Sequence, residues 1–252
     1  MDLNTSDDDC IYSTLVYISE QAKQLKVSTP NITFDQPLYM KAVDIVPKAH
    51  LNIVVRLGGF HMLMSFLGSI GHLMKGTGFE DAMGVLVGPN TVAHVLSGKA
   101  YARAIRGHFI IYKALSDVLL DYLKCQQSKD DEADSDDGFS QPPVCLENDN
   151  HLHGSLTPSI VSGINDLYDK ILHDGYNDNE ELQDTCLLKC SELLDELKSV
   201  LSKQSRTAKL WIYYLKCIDL VKLFLVAKRT CNWLLHLHIV RRMLPIFAAT
   251  GR

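Results

Sequence analysis

The sequence is short of the features that assign a chemistry at sight. Basic charge is not in excess, since 25 lysines and arginines stand against 30 aspartates and glutamates. Six of those acids crowd into residues 130–137 (DDEADSDD), which leaves the remainder close to neutral. A chain that grips nucleic acid ordinarily carries a basic stripe neutralising several phosphates, so any such role must be local. The seven cysteines are odd in number and scattered, and the opening MDLNTSDDDC is too acidic and polar for a secretory leader. Reduced thiols, and hence a nuclear or cytoplasmic setting, are the expectation. Walker loops, HExxH helices and Ser-His-Asp or Cys-His arrangements are all missing from the sequence. Cys186 and Cys190 lie four apart, and Cys145 stands near His151 and His153, but neither set has zinc-finger spacing. No metal site is expected from them.

Long uninterrupted apolar runs are also scarce. The strongest, residues 57–74 (LGGFHMLMSFLGSIGHLM), includes His61, His72 and four glycines. It reads as a buried core helix, and no membrane partner is expected. Residues 210–226 are apolar too, but Lys216, Asp219 and Lys222 recur at helical spacing and exclude lipid on every side.

What is present is mostly helical periodicity. A first helix is expected over residues 9–25, with Tyr12, Leu15, Val16, Ile18 and Ala22 as its apolar stripe. Residues 32–35 (ITFD), bounded by Pro30 and Pro37, suit a buried strand of a parallel sheet. Pro37 opens a helix that ends near Pro47, and residues 51–57 (LNIVVRL) read as a second buried strand. The order is that of a β-α-β unit. Gly58-Gly59 then turns into the helix of the apolar run, a sequence that can either cradle an anion or simply make the turn. Helices follow over residues 79–86, after Pro89, and over 99–125. Residues 126–157 read as an acidic, disordered linker. Beyond it, helices are expected over 159–173, 179–201, 207–229 and 232–247, the last interrupted by Pro245. The fold class is therefore mainly α with a small parallel β-α-β nucleus. Three regions are expected: 1–125, the linker 126–157, and a helical C-terminal region 158–252.

Candidate site residues each carry two readings. Asp35, at the end of the first strand, is a metal-binding carboxylate or the cap of the helix that follows. His61 is a metal ligand or a buried histidine bonded to backbone. Lys99, Arg103 and Arg106 are expected to share one helical face, with Tyr101 and His108 beside them, as phosphate contacts or as a solvated, ion-paired surface. Lys228, Arg229, Arg241 and Arg242 form a second basic cluster with the same ambiguity.

Five stretches, FDQPL (34–38), RLGGFH (56–61), MSFLGSIG (64–71), SGKAYARAIRGH (97–108) and AKRTCNWLLHL (227–237), together span most of the chain. With them the sequence resembles a repeated protein family of invertebrate genomes. The order of strand, aspartate, helix, strand, histidine and helix resembles part of the core of ribonuclease-H-like, Mutator-like transposases. That resemblance implies descent from metal-dependent phosphodiester chemistry, in which two or three carboxylates hold a pair of divalent ions. Magnesium or manganese would be required only if that activity survives; otherwise no cofactor is expected. Asp35 would be a relict ligand, with His61 nearby and Arg103 and Arg106 on phosphate. The chain offers no upstream partner strand, however, and Lys228 stands where the related ERTG motif carries its glutamate. A transposon-derived, catalytically inactive relict is thus the expectation, with a non-enzymatic helical interaction module as the alternative. Nucleic acid or another protein chain is the expected partner, and no small-molecule substrate is indicated.

Overall fold

Apolar residues at helical spacing account for most of the backbone in the computed structural model, which describes residues 7–131, 159–160, 162–163 and 185–251. Helix α1 (Asp8–Gln24) begins on two acids, Asp8 and Asp9, which suit the positive end of a helix. Its buried residues Ile11, Leu15 and Ala22 fall on one stripe. Strand β1 (Asn31–Phe34), helix α2 (Gln36–Lys48) and strand β2 (Val54–Leu57) then form the β-α-β unit. The strands pair in parallel, with Asn31 opposite Val54 and Phe34 opposite Leu57. Ile32, Phe34 and Val55 pack with Ile11, Leu15, Ala42 and Ile53 of the surrounding segments.

These strands were expected to be buried, and that expectation is corrected. Asn31 and Thr33 are exposed, and Val54 is 45% exposed. Alternate residues of a strand point to opposite faces, and α1 and α2 both cluster with the face that carries Ile32 and Phe34.

The apolar run becomes helix α3 (Gly59–Leu73), buried at Leu63 and at every residue from Phe66 to Gly71. Such continuous burial needs cover on several sides. Helix α4 (Phe79–Val87) packs on α5 (Pro89–Leu96), and α5 packs on α3. Contact between α5 and α3 is close enough that a Cβ on Gly71 would collide with the Leu96 carbonyl. Gly98, with φ +80°, turns the chain against the Met64 carbonyl. Because of that left-handed turn, helix α6 (Tyr101–Asp131) starts two residues later than expected, and Lys99 lies outside it. Its far end runs past residue 125, so residues 126–131 are helical rather than linker. The rest of the expected acidic linker lies outside the described residues, as does most of the helix expected over 159–173.

Helices α7 (Thr185–Gln204), α8 (Arg206–Arg229) and α9 (Trp233–Thr250) complete the described chain. Pro245 does not interrupt α9, which continues through it to Thr250. Nor do the last residues belong to a separate C-terminal region. Helix α9 covers α3, where Phe66 and Phe247 meet edge to face at 5.6 Å and the Thr250 hydroxyl donates to Ser69 Oγ at 2.9 Å.

The chain accordingly divides into two units. One comprises Met1–Gly107 with Leu220–Arg252 and contains the β-α-β nucleus. The other, His108–Asp219, has its own cluster of Leu123, Ile160, Cys190, Leu193 and Leu197. Within that second unit, α6 and α8 are joined by polar contacts. The Tyr112 hydroxyl donates to Asp219 Oδ1 at 2.7 Å, and the buried His108 Nδ1 lies 3.1 Å from the Tyr214 hydroxyl. Among the described residues no helix is long and apolar enough to cross a membrane.

Candidate functional site

Asp35 is where a strand-end carboxylate should be, but its side chain is engaged in the backbone. It sits at the N-cap of α2 with extended φ and ψ, exposed, and its Oδ1 accepts the Leu38 N–H at 3.1 Å. Pro37 in the first turn has no N–H to satisfy, so Leu38 supplies the donor that the cap meets. Among the described residues no three His, Cys, Asp or Glu side chains come together in a way that could hold a metal. His61 is half-buried on the first turn of α3, with its ring edge-on to Phe60 at 5.5 Å.

The expected basic face is redistributed. Lys99 precedes α6, Arg103 donates to Thr91 Oγ1 at 3.3 Å, and Arg106 is exposed. His108, which sequence placed beside them, is wholly buried, and burial pushes its pKa down to about 4. Its ring is therefore neutral at physiological pH and offers no charge to a phosphate. The buried Cys217 thiol is pushed up to about 12 by the same loss of solvation, which makes it a packing residue rather than a nucleophile.

A different site stands at the carboxyl edge of the strands, where open α/β sheets place their ligands. There a cleft of about 480 Å³ opens between the start of α2, the end of β2, α3 and α9. Its walls are largely apolar, including Leu57, Met62, Val240, Leu244 and Phe247. Polar groups enter it from Gln36, Tyr39, Arg56, Ser65 and His236, and no carboxylate lines it.

Aromatic packing fixes the two basic residues. The guanidinium carbon of Arg56 lies 3.9 Å from the centroid of the Trp233 ring. His236 stacks on Trp233, centroids 5.3 Å apart, and packs against Phe224 on its other side at 5.1 Å. Only 5% of His236 is exposed, and its buried Nδ1 has no hydrogen-bond partner. Burial, then the charges of Lys228 and Arg56, lower its pKa. Lys228 lies against the N-terminus of α3, where a Cβ on Gly59 would stand 2.6 Å from its Cε and 3.0 Å from its Nζ.

The sequence alone singled out neither Trp233 nor His236, and it gave Arg56 only as part of the RLGGFH stretch. What it did have was the motif set. Gln36 comes from FDQPL, Arg56 and Leu57 from RLGGFH, Ser65 from MSFLGSIG, and Trp233, His236 and Leu237 from AKRTCNWLLHL. Four separated stretches thus meet on one cleft.

The whole chain, residues 1–252, matches the family described as Domain of unknown function (DUF8702). The chain belongs to the DUF8702 family. No curated protein and no solved structure matches this DUF8702 chain. Its chemistry therefore has to be argued from its own residues.

Proposed function

We propose that this DUF8702 chain is a non-enzymatic binding module whose ligand site is the cleft at the carboxyl edge of the β-α-β nucleus. The observation that carries the reading is the contrast across that edge. Asp35 is exposed and occupied in capping α2, whereas the cleft beside it is preformed, apolar-walled and lined by cationic and neutral polar groups. A volume of about 480 Å³ suits a ligand rather than a passing water. Two-metal phosphodiester chemistry would need convergent carboxylates instead. In this reading the likeness to ribonuclease-H-like transposases is one of descent, and the relict keeps the strand-helix-strand scaffold without the reaction. The free thiols of Cys10, Cys190, Cys217 and Cys231 favour an intracellular setting, in nucleus or cytoplasm.

The experiment is to incubate the purified chain and its Asp35→Asn variant with supercoiled and linear DNA in magnesium or manganese. Neither protein should cut or join DNA. Metal-dependent cleavage by the parent chain that disappears in Asp35→Asn would overturn the reading and restore an enzyme.

A further inference from the structure

The charge arrangement of the cleft specifies its occupant further. Arg56 and His236 stand in its wall, and neither meets a carboxylate there. Lys228 adds a second positive charge near His236, since it and Arg56 both disfavour the protonated ring. Helix α3 contributes in the same sense. It has no acid in its first turn and no side-chain cap at Gly58, so its positive end is left uncompensated. An ammonium beside a helix N-terminus is a repulsive placement, because that end of the helix is itself positive. All of these costs become gains when an anion enters.

His236 also lines the cleft, where it stacks on Trp233 and packs against Phe224. Its Nδ1 is closed to solvent and has no hydrogen-bond partner, so the ring meets the cleft as a packed wall and not through that nitrogen. Apart from Gln36, Tyr39 and Ser65, the rest of the wall is aliphatic and aromatic and suits an apolar body.

We infer that the cleft binds a small amphipathic organic anion, its carboxylate or phosphate head held by Arg56 beside the His236 ring, under the field of Lys228. Its apolar body lies along Met62, Leu237, Val240, Leu244 and Phe247. The head group is the part Arg56 selects; carboxylate and phosphate share that chemistry. Arg56 is already ordered against Trp233, so it loses less freedom on meeting a carboxylate or phosphate. A Cβ on Gly59 would displace the end of the flexible Lys228 side chain and leave the backbone in place.

This inference rests on the binding-module reading, and the test separates the two. Isothermal titration of the full chain would use decanoate, decyl phosphate and the uncharged decanol as probes, all below their aggregation limits. One or both anions should bind at least about 10-fold more tightly than decanol. The tighter of the two identifies the head group. Arg56→Gln should bring the anions to the affinity that the same variant shows for decanol. Because Arg56 also packs on Trp233, Gly59→Ala serves as the second variant. It leaves the cleft wall intact, pushes Lys228 away, and should weaken the anions alone by about 3-fold or more. Equal binding of all three probes by the parent chain would overturn the anion assignment and keep the binding module. Failure of all three to bind would overturn both.

Discussion

Arg56, on the second strand of the nucleus, holds its guanidinium carbon 3.9 Å from the centroid of the Trp233 indole at the start of the last helix. Strand and helix are far apart in sequence, so the pair is a tertiary clamp. A partly desolvated cation over an indole contributes about 0.5–2 kcal/mol. A double-mutant cycle of Arg56→Met and Trp233→Leu, read by urea denaturation, should therefore give a coupling of about 0.5–2 kcal/mol. Additive single effects would show that the guanidinium and the indole merely lie near each other.

Asp35 makes a sharper case, because its two readings predict different substitution profiles. As an N-cap it should tolerate Asn or Ser with a loss of a few tenths of a kcal/mol, while Asp35→Ala costs about 1 kcal/mol. Neither magnesium nor manganese should raise the melting temperature of the parent relative to Asp35→Asn. A metal-dependent rise confined to the parent would assign the carboxylate to an ion.

Glycine substitutions test the packing around α3. Ala at Gly71 meets the Leu96 backbone, and Ala at Gly98 meets the Met64 carbonyl in a left-handed turn, so neither neighbour can yield by a rotamer change. Each should destabilise the chain by about 1–3 kcal/mol. Gly84 is the control. Gly84 lies inside α4, and a Cβ there would meet only the Val92 side chain of α5 at 3.7 Å, an ordinary contact, so Gly84→Ala should stabilise by about 0.5–1 kcal/mol. Equal effects at the three sites would contradict the close approaches.

The elements of this fold were largely legible in the sequence, and the cleft was not. Pro37 and the flanking apolar runs marked the β-α-β unit to within a few residues, since helix starts and short apolar strands leave local traces. Lys99 was misplaced because the turn at Gly98 depends on a tertiary approach to Met64, which no local pattern records. Half-exposure of the strands depended on which face α1 and α2 chose. The site was hidden for a related reason. Gln36, Arg56, Ser65 and His236 come from four segments, and each residue alone is ordinary. His236 in particular lies in an apolar helical stretch, where a satisfied core histidine is the commoner outcome.

Buried His108 gives the second unit a pH signature. Its pKa falls from 6.5 to about 4 because burial penalises the charged ring. The folded-state value lies below the unfolded one, so the unfolded chain takes up the proton first as pH falls. The contribution of the neutral ring is complete above the unfolded pKa. It is lost progressively between about pH 6.5 and pH 4, by as much as about 3 kcal/mol. Denaturation across this range should show the decline in the parent chain, and His108→Gln should flatten it. An unchanged slope in the variant would assign the decline to other groups.

Four separated stretches line one cleft beside the strand edge, which we propose as the ligand site. Its most direct test uses the two tryptophans, of which Trp233 lines the cleft and Trp211 does not. The indole N–H resonances of both would be followed by heteronuclear NMR during titration with decanoate. Trp233 should shift progressively and saturate while Trp211 stays fixed. A titration that leaves Trp233 unmoved, or that shifts both indoles in parallel, would contradict the claim.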